Sequence, residues 1–229
     1  MKAVLFDIDG TLFDSDRLHL AVFQEVLAEY GFNGGERISE EFFKERITGR
    51  QNALIVKDLF PEWDTPTGIA FSTYKEQRFR DLAAEQLPTL VTAGLETFLT
   101  QLEADGVRCA AVTNAPRANA ELMLSAIDRL DWFEPLIIGD ECTHAKPHPE
   151  PYLAAMRALD VSPDACLAFE DSPSGASAAV AAGVRTLGVV STQSAEVLTG
   201  AGCAALIRDF ADPVLSDELA AWNTPQVVP

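Results

Sequence analysis

Short apolar segments alternate with stretches of helical periodicity along most of this chain, and that alternation most constrains its fold. The segments are bounded by polar or glycine-containing turns, which is typical of strands buried on both faces of a sheet. Strands that alternate with helices predict an α/β fold with a doubly wound parallel sheet. The predicted strands are Val4–Phe6, Val107–Val112, Leu136–Ile138, Cys166–Phe169, Thr186–Val190 and Ala204–Ile207.

The region from Asp16 to Leu87 interrupts this alternation, because it holds four successive helical patterns and no convincing strand. We therefore predict a core of residues 1–15 and 88–229 and a helical insertion of residues 16–87. We expect the last seven residues to be loose. The helical patterns cover Leu18–Tyr30, a segment opened by Ser39, Gln51–Phe60, Ile69–Leu82, Leu95–Leu102, Leu153–Leu159, Ser172 to Gly183, and Val214–Trp222.

Charge and hydropathy limit the partners that we expect. Lys and Arg total 17 against 35 Asp and Glu, and the resulting net charge of -18 repels polyanions such as nucleic acid. No apolar run reaches the roughly 20 residues that cross a bilayer, and the N-terminus does not resemble a secretory signal. We expect a cytoplasmic monomer that binds a small molecule rather than nucleic acid or a membrane.

The strongest chemical signal is the pair Asp7 and Asp9, which follows the first predicted strand and precedes Gly10. In an open parallel sheet, ligands bind outside the carboxyl ends of the strands, where both carboxylates would emerge. The alternative is a strand that simply ends in an Asx turn. The residues at the other strand ends bear on that choice.

Three further strand ends carry polar groups in a consistent order. Thr113 and Asn114 follow the second strand, Lys146 follows the third, and Glu170 and Asp171 end the fourth. Taken singly, Thr113 could be a strand cap and Lys146 a solvated loop residue. Together, these groups are what phosphoryl transfer through an aspartyl intermediate requires, because the hydroxyl, the backbone donors and the ammonium would hold the phosphoryl oxygens.

The carboxylates divide the chemistry between them. Carboxylate oxygens suit Mg²⁺, for which Asp7 and Asp171 are the natural ligands. A carboxylate can also attack phosphorus, and we predict that Asp7 is this nucleophile. A second carboxyl must protonate the leaving oxygen and later deprotonate water, and Asp9 fits that role.

These motifs resemble those of the haloacid dehalogenase superfamily, in the branch of phosphoglycolate phosphatase and β-phosphoglucomutase. The matching segments are Asp7–Ser15, Thr113-Asn114, Lys146-Pro147 and Glu170–Gly175, in the family's order, and the resemblance covers nearly the whole chain. It implies a Rossmann-like core with a helical cap inserted after the first motif. The phosphotransferases of this superfamily have a second Asp at the position of Asp9, whereas its dehalogenases lack it.

The resemblance also implies roles for individual residues. Asp7 and Asp171 would bind Mg²⁺ through their side chains and Asp9 through its backbone carbonyl, while Glu170 would act behind these ligands. His19 lies where β-phosphoglucomutase has a histidine that links cap closure to the acid/base Asp. It could equally be a polar residue of the first cap helix.

Arg50 follows Thr48-Gly49, and the mutase has an arginine near such a glycine that grips the distal phosphate. In the mutase that arginine comes three positions after the glycine, and here it comes one after. Arg50 could hold a substrate anion or could be an exposed cation at a helix start. This departure weighs against a bisphosphate mutase.

Three functions remain open at this stage. The first is an Mg²⁺-dependent phosphatase that acts on a small phosphorylated metabolite such as a sugar phosphate or phosphoglycolate. The second is a sugar phosphomutase like β-phosphoglucomutase. The third is a phospho-Asp regulatory protein without turnover, although phospho-Asp receivers are about half this length and lack the helical insertion.

Overall fold

A computed structural model describes residues 2–223 of the chain. The predicted loose tail begins at Asn223, which is the last residue of a helix, and its other residues, 224–229, lie outside the described residues. Six parallel strands form one sheet in the order β3-β2-β1-β4-β5-β6. The predicted α/β fold class is confirmed, and each predicted strand lies within one residue of an observed one at either end. The strands are β1 (Ala3–Phe6), β2 (Arg108–Thr113), β3 (Leu136–Ile138), β4 (Cys166–Glu170), β5 (Arg185–Val189) and β6 (Ala205–Ile207).

Helices pack on both faces of this sheet. Three helices, α5, α7 and α10, were not predicted from the sequence. Helix α4 begins four residues before the predicted Ile69, because the Asp64 side chain caps it by accepting from the Thr67 N–H. The helices are α1 (Asp16–Glu29), α2 (Glu40–Arg46), α3 (Asn52–Leu59), α4 (Thr65–Ala83), α5 (Leu87–Leu90), α6 (Leu95–Ala104), α7 (Arg117–Ala126), α8 (Glu150–Ala158), α9 (Pro173–Ala181), α10 (Ala195–Gly200) and α11 (Pro213–Asn223).

Alternate residues of β1 point to opposite faces of the sheet and enter different apolar clusters. Val4 and Phe6 pack with residues of α6, α7 and α11, and Phe6 stacks on Phe169 with ring centroids 5.3 Å apart. Ala3 and Leu5 pack with residues of α8 and α9 on the other face. All four strand residues are fully buried, as both faces of a doubly wound sheet require.

Residues 16–87, which we call the insert, leave and rejoin the sheet region at one place. Phe13 and Val91 form an isolated antiparallel bridge, and the Asp14 N–H donates to the Leu90 carbonyl at 2.8 Å. The chain therefore crosses between the insert and the sheet region twice, side by side. The division into two domains at these points remains our proposal.

Among residues 2–223, no helix combines the length and the apolar character needed to span a bilayer.

Candidate active site

The carboxyl ends of β1, β2 and β4 meet at one edge of the sheet. β1 lies between the other two, and Phe6 is in register with Ala111 of β2 and with Phe169 of β4. Strand order reverses direction at β1, which is the position where open α/β sheets bind their ligands. The side chains that follow these strands are thereby brought together, and one cavity is lined by Asp7, Asp9, Thr113, Asn114, Lys146 and Asp171.

Lys146 lies at the centre of this group and is 3% exposed. Its Nζ donates to Asp7 Oδ1 at 2.7 Å, to Glu170 Oε1 at 2.5 Å and to the Val112 carbonyl at 2.6 Å. Burial acts to lower the pKa of Lys146, but the Asp7 and Glu170 carboxylates outweigh it and raise the pKa. The site therefore holds a permanent cation beside Asp7.

Three carboxylates lie together at this end of the sheet. One oxygen from each of Asp7, Glu170 and Asp171 lies within 4.8 Å of the others. Burial, reinforced by the neighbouring carboxylates, raises the pKa values of Asp7 and Asp171 well above the ordinary range, although Lys146 acts in the opposite direction. A divalent cation among these oxygens would offset that cost. An all-oxygen donor set of this kind fits Mg²⁺.

Glu170 contributes to the group in a different way from Asp171. Its Oε1 accepts from Lys146 and from the Tyr152 hydroxyl at 2.5 Å, while its Oε2 is buried without a hydrogen-bond partner among the described residues. The glutamate thus holds Lys146 in place from behind. This arrangement agrees with the role behind the metal ligands that the resemblance implies.

The turn after β1 depends on a glycine. Gly10 has φ of +77°, in the left-handed region, and a Cβ built on it would lie 2.0 Å from Asp171 Oδ2. Any side chain here would displace the Asp171 carboxylate. The close approach lets the Asp7–Asp9 turn pack directly against the end of β4.

Asp9 meets two hydrogen-bond donors of α1 and the residue before it. Its Oδ1 accepts from Ser15 Oγ at 2.7 Å and lies 2.8 Å from His19 Nε2, and the Asp9 side chain is 22% exposed. Burial acts to raise the pKa of Asp9, but His19 and Ser15 outweigh it and lower the pKa. Asp9 is therefore a carboxylate that still reaches the cavity, and His19 ties it to the insert.

Thr113 and Asn114 connect the site to its neighbours. Thr113 Oγ1 accepts from the Ala115 N–H at 3.0 Å, which is a strand-cap contact, and the residue also lines the cavity. Asn114 Nδ2 donates to the carbonyls of Gly49 at 3.2 Å and Lys146 at 3.1 Å. One amide thus joins the insert to the loop that carries Lys146.

Gly49 lies at one of the contacts between the insert and the sheet region. Its φ is +71°, and a Cβ built on it would lie 2.7 Å from Ser172. Arg50, the next residue, lines the same cavity, but its guanidinium donates to Asp58 Oδ2 at 3.0 Å and to the Arg46 carbonyl at 2.6 Å. The charge of Arg50 is therefore partly offset by Asp58 before any substrate anion binds.

Two sets of residues were not identified from the sequence. Tyr152 lies on α8, where its hydroxyl reaches Glu170. The only sequence feature that could have indicated it is weak, namely an aromatic residue shortly after Lys146. Glu76 lies in the cavity wall, where Asn52 and Asn119 both donate to it at 2.6 Å. No sequence motif marks the Glu76 group, because its members come from three separate helices.

A second set of metal-ligating side chains lies on the surface, formed by His144, His148 and Glu150. Both oxygens of Glu150 already accept backbone N–H groups, from Thr143 at 2.9 Å and His144 at 3.0 Å. These contacts hold the loop before α8 against the first residue of that helix.

Comparison with known proteins identifies the family. The sequence profile described as haloacid dehalogenase-like hydrolase matches residues 1–183. The chain belongs to the haloacid dehalogenase-like hydrolases. The predicted family and the predicted hydrolase class are therefore confirmed.

Individual relatives and a solved structure show the same similarity over most of the chain. This hydrolase is 32% identical over 194 residues to protein CbbY of Rhodobacter capsulatus, covering 82% of this chain and 84% of the relative. It is 30% identical over 215 residues to the phosphorylated carbohydrates phosphatase of Thermotoga maritima, covering 91% and 94%. The crystal structure of a CbbY mutant from Rhodobacter sphaeroides in complex with xylulose-(1,5)bisphosphate matches with a TM-score of 0.80 at 28% identity, covering 92% and 95% of the two chains.

Proposed function

We propose that this hydrolase is an Mg²⁺-dependent phosphatase that hydrolyses small phosphate monoesters through an aspartyl-phosphate on Asp7. The observation that carries the proposal is the contact of the Asp7 carboxylate with buried Lys146, at 2.7 Å, inside a group of oxygen ligands suited to Mg²⁺. Relatives named as phosphatases support the same reaction class.

In the first step, an oxygen of Asp7 attacks phosphorus and the bond from phosphorus to the leaving oxygen breaks. Asp9 donates its proton to the leaving alkoxide. Asp9 must be protonated at that moment, and the arrival of an anionic phosphate favours this because a nearby like charge raises a carboxyl pKa.

In the second step, the Asp9 carboxylate takes a proton from water, which attacks phosphorus and releases inorganic phosphate from Asp7. Lys146, Thr113 and backbone donors at Asn114 would balance the charge on the phosphoryl oxygens. Together, the two steps return the site to its starting state.

Mg²⁺ would be held by the side chains of Asp7 and Asp171 and by the Asp9 carbonyl, with Glu170 behind them. The ion supplies charge neutralisation for the phosphoryl group when it is bound. His19 would keep Asp9 oriented from the insert.

The proposal is tested by release of p-nitrophenol from p-nitrophenyl phosphate. Asp7→Asn should abolish the activity because an amide is not a nucleophile, and EDTA should abolish it in the wild type until Mg²⁺ is restored. The matched control is Asp131→Asn, the same change at an exposed position. Full activity in Asp7→Asn, or in EDTA, would rule out this mechanism.

A sugar phosphomutase is the second candidate, favoured by the 2.8 Å contact of His19 with Asp9 that the resemblance to β-phosphoglucomutase implies. Glucose 1-phosphate supplied with a bisphosphate primer separates the two functions. Glucose 6-phosphate as the product indicates the mutase, and free phosphate indicates the phosphatase.

A further inference from the structure

The insert places a buried carboxylate in the wall of the active-site cavity. Glu76 of α4 is 6% exposed, and it accepts hydrogen bonds from Lys75 Nζ at 2.9 Å and from the side-chain amides of Asn52 and Asn119 at 2.6 Å each. Burial acts to raise the pKa of Glu76, but Lys75 leads the groups that outweigh it and lower the pKa. The cavity wall therefore contains an ionised carboxylate whose charge is matched by the Lys75 ammonium beside it.

The positive charges of the cavity already have partners. Among the described residues that line it, Lys and Arg contribute three side chains, and each of them is paired with at least one carboxylate. A second phosphate group needs cations or several free N–H donors, because it carries nearly two charges near neutral pH. The pairs are Lys75 with Glu76, Lys146 with Asp7 and Glu170, and Arg50 with Asp58.

We infer that Glu76 selects substrates whose leaving group is uncharged and rich in hydroxyls, so that the enzyme cleaves sugar monophosphates in preference to bisphosphates. This inference rests on the proposed phosphatase function. Hydroxyl groups can donate to carboxylate oxygens such as those of Glu76, whereas a distal phosphate would find Lys75 and Arg50 already paired with carboxylates.

The inference separates this chain from one of the proteins that it resembles. The CbbY structure from Rhodobacter sphaeroides contains xylulose-(1,5)bisphosphate. A shared fold does not fix the substrate, because specificity resides in the site rather than in the fold. The same argument weakens the mutase candidate, since that reaction passes through a bisphosphate.

The first test uses the unaltered protein with Mg²⁺ and three substrates: p-nitrophenyl phosphate, glucose 6-phosphate and glucose 1,6-bisphosphate. We expect kcat/KM for the monophosphate to exceed that for the bisphosphate at least tenfold, with release of inorganic phosphate as the readout. Equal or better use of the bisphosphate, with p-nitrophenyl phosphate still hydrolysed, overturns the inference and leaves the phosphatase in place. No hydrolysis of p-nitrophenyl phosphate overturns both.

The second test changes the charge while keeping the size of the side chain. Glu76→Gln should reduce the preference for the monophosphate about tenfold, whereas the matched control Glu85→Gln, at an exposed position just after α4, should leave the ratio of the two kcat/KM values unchanged. Circular dichroism and thermal unfolding check that each variant folds. An unchanged ratio in folded Glu76→Gln overturns the assignment to this residue.

A third variant keeps the inference testable if Glu76→Gln does not fold. Asp58 is partly exposed and holds Arg50, so Asp58→Asn should release that guanidinium toward the cavity. We expect KM for glucose 1,6-bisphosphate to fall several-fold and KM for glucose 6-phosphate to change much less. Equal changes for both substrates would contradict the account of the paired cations.

Discussion

Tyr152→Phe tests the support behind Lys146, because it removes one hydroxyl and leaves the ring in place. Tyr152 and Glu170 are both fully buried, and the hydroxyl donates to the same Glu170 oxygen that accepts from Lys146. A hydrogen bond to a charged group contributes about 1.5–3 kcal/mol. We therefore expect the free energy of unfolding to fall by about 2 kcal/mol.

For a chain of this size, that loss corresponds to a fall of roughly 4–8 °C in Tm. Urea unfolding followed by circular dichroism gives the free energy, and a thermal scan gives Tm. The matched control is Tyr74→Phe, which removes a hydroxyl that donates to Glu29 at 3.0 Å on the surface. Its effect should be within about 0.5 kcal/mol, as is usual for exposed positions.

If Tyr152→Phe were as mild as Tyr74→Phe, the buried hydrogen bond would not stabilise Glu170 and our reasoning about the base of the site would be wrong. Activity provides an independent readout. A looser Glu170 should leave Lys146 less well held, so kcat for p-nitrophenyl phosphate should fall more than KM changes.

Two further predictions concern a glycine and the thiols. Gly10→Ala should lower the free energy of unfolding by about 1–3 kcal/mol because the backbone at this position is left-handed, and it should lower kcat at least tenfold because the new methyl group displaces Asp171. The control is Gly106→Ala, where φ is +65° and the space is open, so stability should fall without a loss of activity. Equal activities of the two variants would contradict the crowding argument. Burial raises the pKa of Cys109 to about 12 and that of Cys166 to about 11. A thiol reagent at pH 8 should therefore modify the partly exposed Cys142 first, in a rapid phase of labelling. Cys142→Ser should remove this rapid phase.

The sequence was most informative where burial and chemistry follow from local order. Strands such as Cys166–Glu170 are short apolar runs, and Asp7 and Asp171 directly follow two of them, so a parallel sheet brings both to one edge. Lys146 lies in the loop after β3, and its place in the site was predicted from the order of the polar groups along the chain. Helix α10 was missed because it has six residues and ends at Gly200, too short for a helical period to be recognised.

The group around Glu76 could not be predicted for a different reason. Its partner Asn119 is 43 positions away and lies on α7, a helix that was itself missed. Contacts of this kind depend on how helices of the insert pack over the sheet, and side-chain spacing along the chain does not encode that packing. The pairing of Arg50 with Asp58 was missed for another reason, because the sequence predicted the helix that carries Asp58 but did not show which way the Arg50 side chain turns.

The contact between Gly49 and Asn114 bears on how a substrate enters the cavity. The cavity has a volume of about 90 Å³, smaller than the range usual for sites that enclose an organic ligand. If the chain acts on sugar phosphates, as we propose, we expect the substrate to enter when the Gly49 carbonyl parts from the Asn114 amide. Substrate entry and product release would then each break this one hydrogen bond, and the same Asn114 amide also holds the loop that carries Lys146.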